Sequence, residues 1–284
     1  IITDLIQVIG WRETILYSSY VGFALVPIVW LIVRDAPPPQ VAALISADGV
    51  HVPEDVVCKS YSQLWKEIWF SMKNRQIWIN GLIAGLFMMP TMVFPELWGK
   101  LYLQTVHNFE PRLASQTVSM IFLGWAIGSP ITGLFSDWIR RRKMPLIVGA
   151  VLVTILLSIF LFYPALTPIQ MKIVLFLVGV TSSVQVICFA IGRENCPDNL
   201  AGTAVAVTNF LVVSFASFQV IVAKVLDYTW DGAMIDQAKV YSVHSYQTAM
   251  LVLPAATALA FVLCFFLKET YCRPFGSYLE NQPK

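Results

Sequence analysis

Seven stretches of roughly 20 predominantly apolar residues recur along this chain, and a helix of that length crosses a bilayer core about 30 Å thick. They run Leu16–Val33, Ile77–Leu97, Ala114–Phe135, Pro145–Tyr163, Met171–Gly192, Ala201–Leu226 and Thr248–Leu267. Composition makes the same demand: with 57% hydrophobic and 13% charged residues and a mean hydropathy of +0.68, 284 residues cannot cover a soluble globule. The fold class is therefore all-α, a polytopic membrane helical bundle. Ile1–Ile9 is also apolar but too short to cross, and the chain does not begin with Met. We read it as the tail of an eighth helix and the chain as a fragment. No basic n-region with a small-residue cleavage site precedes Ile1, which argues against a signal peptide.

Lysine and arginine set the expected orientation, because cations beside a span are retained on the cytoplasmic side. If Val33 ends inside, 13 of the 19 cations fall in inner segments and five in outer ones, with Lys224 inside the sixth span. The C-terminus is then cytoplasmic. A net charge of +2 spread in this way gives no nucleic-acid signature. The cysteines fall on the reducing side or within spans and need no disulfide. His51, His107 and His244 are isolated, so neither a metal site nor a cofactor is expected.

The longest polar segment, residues 34–76, opens on Pro37-Pro38-Pro39 and closes on an amphipathic stretch. There Leu64, Trp65, Ile68, Trp69 and Met72 share one face, as in a helix lying at the inner interface, with Ser60 and Gln63 as a capping box. Polar content varies between spans. The first, fourth and seventh are nearly bare and read as lipid-facing, whereas the fifth and sixth carry several polar groups and read as cavity-lining.

Between the third and fourth spans a glycine-rich helix stops at Ser136-Asp137 and runs into Arg140-Arg141-Arg142-Lys143. The turn resembles the Gly-x-x-x-Asp-Arg-x-Gly-Arg-Arg signature of the major facilitator superfamily. Gly133, Asp137, Arg141 and Arg142 sit at matching positions, while Trp138 replaces the first cation and Arg140 the second glycine. With the span rhythm and Gly10-Trp11-Arg12, the chain resembles the C-terminal half of that family preceded by the last span of the N-terminal half. The resemblance implies the end of the N-terminal half at 1–33, a cytoplasmic linker at 34–76, a six-helix domain at 77–267 and a cytoplasmic tail at 268–284. A narrower similarity, carried by Pro95-Glu96-Leu97-Trp98-Gly99, Ser119–Trp125 and Gly202-Thr203-Ala204, points to the bacterial phagosomal-transporter group, whose members carry amino acids or nucleosides.

The resemblance implies a secondary active transporter of the inner membrane, a symporter working by alternating access, with a proton or sodium as coupling ion, most readily a proton. Its partners would be a small polar solute, the lipid bilayer and the missing N-terminal half of the same protein. Candidate solute-binding residues are Thr91, Ser119, Gln185, Asn209 and Gln219. Gln185, near mid-bilayer, needs partners that either a ligand or a neighbouring helix supplies. Glu96 follows Pro95 near the outer surface, where a carboxylate binds substrate, carries a proton or pairs with a cation such as Lys100. The coupling acid is expected in the missing half or at Glu96.

Asp137 is expected to accept bonds from free amides at a helix N-terminus, while Arg141 and Arg142 pair with it or with anionic lipid headgroups. Arg193 and Glu194 would join it in a conformational latch with Gly133, Asp137, Arg141 and Arg142. A basic turn that only fixes topology is the competing reading. Gly124 and Gly128, like Gly81 and Gly85, imply close helix packing. Lys224 and Asp227, within one turn at the outer end of the sixth span, are expected to pair with each other or to snorkel to the interface. The rival class is a seven-span receptor, supported only by the span count. An enzyme would want clustered nucleophiles and bases, which the spans lack.

Overall fold

The computed structural model describes residues 5–6, 9–32, 74–163, 165–197, 200–235 and 238–273, together with Ser62, Trp65, Ile68, Trp69, Met72 and Lys73. The chain divides into two compact units, Ile1–Ser60 and Tyr61–Lys284. The first contributes α1, Trp11–Ile32, which starts just after Gly10 at φ +84°. The Thr14 and Ser18 hydroxyls donate back to the carbonyls of Gly10 and Thr14, both at 2.8 Å, so neither polar group is left bare on an apolar helix. Of the linker, Ser62, Trp65, Ile68, Trp69, Met72 and Lys73 are helical, and both tryptophans are exposed. The Ser60–Gln63 capping box lies outside the described residues.

The second unit holds α2 (Arg75–His107), α3 (Pro111–Trp138), α4 (Lys143–Phe162), α5 (Pro168–Glu194), α6 (Ala201–Tyr228) and α7 (Val243–Phe266). These match the expected spans one for one. The main difference is α2, which continues past Leu97 to His107. At 33 residues it is roughly 50 Å long, well beyond the hydrocarbon thickness. Local chemistry sets the helix starts. Asn74 caps α2 by accepting from the Gln76 amide at 2.9 Å, Thr167 and Gln170 form a reciprocal capping box ahead of Pro168 in α5, and Ser242 caps α7.

Close backbone approach holds the unit together. A Cβ on Gly124 of α3 would overlap the Phe176 carbonyl of α5, and one on Gly179 of α5 would overlap the Ile121 carbonyl of α3. Lipid tails are as apolar as leucine, so contact of this kind replaces the hydrophobic effect as the force between spans. Gly81 and Gly85 of α2 receive Leu211 and Phe215 of α6 in the same way. Large side chains, among them Phe87, Phe94, Tyr102 and Phe160, fill the space around α2.

Burial does not follow polar content as the sequence suggests. Of the apolar windows in this unit, α2 is the most enclosed at 78%, the polar-rich α5 at 50% stands only slightly above α4 and α7 at 44%, and the polar-rich α6 at 28% lies near α3 at 22%. The fourth span is not central: it buries Leu146, Ala150, Val153 and Leu157 and exposes Val148, Val151, Leu152 and Ile155. Its Thr154 bonds Thr257 of α7 at 2.8 Å. Between α6 and α7 a short antiparallel pair, β1 (Met234–Ile235) and β2 (Ala238–Lys239), forms the loop.

Candidate functional site

Proline interrupts α2 and creates its functional geometry. Pro90 and Pro95 lack the amide a helix interior needs, and the chain answers with a π-helical turn over Phe94–Trp98 in which the Gly99 amide reaches back to the Phe94 carbonyl. Such a bulge re-aims side chains and frees carbonyls. From α6, Gln219 reaches into the break, where its Nε2 donates to the Met92 carbonyl at 3.1 Å and to Glu96 Oε2 at 3.2 Å. Two residues singled out separately in the sequence therefore meet across 123 positions. Glu96 is exposed, and no ion pair joins it to Lys100 among the described residues.

The other solute-binding candidates do not bond one another. The Thr91 hydroxyl is buried and turned back to the Met88 carbonyl at 2.8 Å. Ser119 is exposed and donates to Ser115 within its own helix, and Asn209 is exposed on α6. Gln185 sits in a tight 3-10 turn, Ser183–Val186, in the middle of α5. It is 2% exposed, and its amide bonds no other described residue. One turn further along α5, the Cys188 carbonyl accepts from Asn80 of α2 at 2.8 Å, while Asn80 Oδ1 is buried without a partner among the described residues. A buried amide oxygen with unused capacity is costly and calls for a partner.

At the opposite end of α2, the turn between α3 and α4 carries a dense ionic network. Arg142 is 7% exposed. Its Nη1 donates to Asp137 Oδ1 at 2.6 Å and Ser136 Oγ at 3.0 Å, and its Nη2 and Nε donate to Glu194 Oε1 at 2.7 and 3.1 Å. Thr270 donates to the other Glu194 oxygen. Burial alone lowers the pKa of the Arg142 guanidinium, but the bonds and charges of Glu194 and then Asp137 outweigh it and move the pKa up. The charge is locked in place.

The carboxylate that satisfies free helix amides is not Asp137 but Glu269, just past α7. Its Oε1 accepts from the Arg142 amide at 2.7 Å and its Oε2 from the Lys143 amide at 3.0 Å, capping the start of α4. Asp137 lies at the C-terminal end of α3, where free carbonyls face it, so its role falls to pairing Arg142. Arg141 and Arg193 are exposed and outside the network, and nothing lies within 4 Å of a Cβ placed on Gly133. Ser136, Glu269 and Thr270 were missed.

The expected Lys224–Asp227 pair does not form either. Asp227 instead takes Lys239 Nζ at 2.7 Å and the Tyr241 hydroxyl at 2.8 Å, both from the loop beyond α6. Burial first, then the bond to Asp227, pushes the Tyr241 hydroxyl up to about 12. Lysine 224 stands on the same helix, but the loop folds back and outcompetes it.

Comparison with curated proteins finds no match to the chain. Residues 4–218 do match a family described as Major Facilitator Superfamily, from before the first complete span to Phe218 in α6. That match sets aside the seven-span receptor, whose only support was the count of helices. With its seven membrane-capable helices and three-quarters of its length matched, this integral membrane protein belongs to the major facilitator superfamily and is a membrane transporter.

Proposed function

We propose that the chain is the C-terminal half, with one preceding span, of a secondary active carrier that moves a small polar metabolite such as an amino acid or nucleoside. It works by alternating access, coupled to protons, in a bacterial inner membrane with the C-terminus in the cytoplasm. The sequence similarity to the phagosomal-transporter group supports that substrate class. One observation carries the reading: the broken α2 presents Glu96 and a freed carbonyl to Gln219 of α6, joining an exchangeable acid to two different spans. A carboxylate that accepts from an amide loses an acceptor site and gains a donor on protonation. Proton uptake there changes which contacts between α2 and α6 are satisfied, which is the differential interaction a coupled carrier requires. Gln185 and the open capacity of Asn80 would hold the solute, with Thr91, Ser119 and Asn209 as further candidate contacts. The Arg142 network would hold the opposite end closed while the solute site faces outward.

The test is uptake of labelled amino acids and nucleosides by the full-length protein in proteoliposomes, with and without an imposed pH gradient. Glu96→Gln keeps the bond to Gln219 feasible but cannot titrate. It is expected to retain solute exchange and to lose gradient-driven accumulation. Accumulation at the wild-type level in this variant refutes Glu96 as the coupling group, and absence of flux for every solute under all gradients refutes the carrier reading.

A further inference from the structure

Beside the Arg142 network lies a separate cleft of about 690 Å³, lined by Asp137, Arg140, Arg141, Tyr271, Cys272 and Arg273. Its walls are two turns that adopt left-handed backbone at non-glycine residues: Arg140 at φ +52° on one side, Tyr271 at +53° and Cys272 at +57° on the other. Such conformations are costly for L-residues and persist only where the surroundings dictate them. Here the Arg141 amide bonds the Ser136 carbonyl at 3.3 Å and the Arg273 amide bonds the Thr270 carbonyl at 3.1 Å. Cys272 Sγ reaches the Ser136 carbonyl at 3.8 Å, tying one wall to the other. Glu269 fastens the same two segments from beneath. The walls are in place before any ligand arrives.

The charges on those walls are not spent on the protein. Arg140, Arg141 and Arg273 are exposed and make no ion pair among the described residues. Asp137, the acid in the lining, already gives Oδ1 to Arg142. Three uncommitted guanidiniums facing one concavity match the tetrahedral oxygens of a phosphate, which planar forks engage in pairs. Trp138, 80% exposed on the last turn of α3, adds an indole of the kind that sits at headgroup depth.

We propose that this cleft binds a phosphate anion, presented as the headgroup of an anionic phospholipid. Basic concavities at the ends of membrane helices take such headgroups, and Leu134 and Trp138, exposed in the last turns of α3, offer apolar surface to acyl chains. The site is distinct from the solute path and does not depend on the transport reading, because binding is measured at equilibrium without flux.

Native mass spectrometry of the full chain in detergent, with phosphatidylglycerol or phosphatidylcholine added, tests this. The wild type is expected to retain phosphatidylglycerol selectively, and R141Q/R273Q to lose about tenfold or more of that retention. Because both arginines are exposed and unpaired, the variant should unfold at the wild-type temperature, which separates lost binding from lost fold. Displacement of the lipid by millimolar inorganic phosphate places the affinity in the phosphate group itself, and failure to displace places it in the intact amphiphile. Equal retention of the two lipids by the wild type, or equal retention of phosphatidylglycerol by wild type and variant, overturns the proposal.

Discussion

Replacing Arg142 by Met keeps an apolar stem and removes the charge that joins α3 to α5. Glu194, whose side chain is 11% exposed, would keep Thr270 as its remaining partner. Stripping one member from a buried pair costs roughly 3–5 kcal/mol. Asp137 adds little to that figure, because its side chain is 60% exposed and a solvated pair contributes about 0–1 kcal/mol. A cleft of about 470 Å³ beside Glu194 lets water soften the loss, so the lower end, about 3 kcal/mol, applies. If the network exists only when this end is closed, that figure shifts the closed-to-open ratio roughly 100-fold. Amide exchange in the full-length protein reads the ratio directly. The Arg142 and Lys143 amides, both held by Glu269, should exchange roughly 100-fold faster in R142M. The Val240 amide at the opposite end, bonded to the Ala233 carbonyl at 3.0 Å, should exchange more slowly. Acceleration at both ends would mean a bundle loosened as a whole, and unchanged Arg142 and Lys143 amides would mean a network present in both states. Either result refutes a latch.

Glu269→Ala leaves two amides at the start of α4 uncapped and should lower stability by about 0.5–2 kcal/mol, read as a lower Tm, whereas Glu269→Gln keeps one acceptor and should lose less. Burial holds the Cys272 thiol above its usual range, against the opposing pull of Arg142, and the thiolate is the reactive form. Alkylation of Cys272 should therefore begin to rise at higher pH than that of a free cysteine, and higher still in R142M; a profile matching free cysteine would contradict the burial. Gly124→Ala forces a methyl against the Phe176 carbonyl and should cost about 1–3 kcal/mol in a reversible unfolding titration, while Gly133→Ala, with open space around it, should cost nothing measurable.

Spans were legible because hydrocarbon imposes length and composition on a helix, and seven of seven were found to within a few residues at most ends. The exception is instructive. The expected end of α2 at Leu97 is the end of its apolar stretch, but a π turn absorbs the donors missing at the prolines and the helix continues to His107. Partner choice was less legible than element choice. Asp227 has Lys224 one turn away, yet pairs with Lys239, because the route of the α6–α7 loop is not written in helical spacing. Glu96 and Gln219 were each marked as polar groups in apolar spans. Their meeting depends on how far α6 slides along α2, and that register is set by Gly81 and Gly85 admitting Leu211 and Phe215. Glu269 was read as part of a polar tail, since nothing local distinguishes a capping acid from a solvated one.

The placement of α2 gives those separate features a common frame. At its start, Asn74 donates to the Asn195 carbonyl past α5, and Gln76 accepts from the Lys268 amide past α7. At its break it meets Gln219 of α6. The most enclosed helix of the unit therefore has its start tied to the segments that carry Glu194 and Glu269, and its break tied through Glu96 and Met92 to Gln219 of α6. Adjacency is not coupling. Packed glycine contacts and large buried aromatics confine α2 on either side of its proline break. Under the proposed coupling, a change in the contacts of Glu96 would displace the helix against its neighbours, and loss of the bonds at Asn74 and Gln76 would register it.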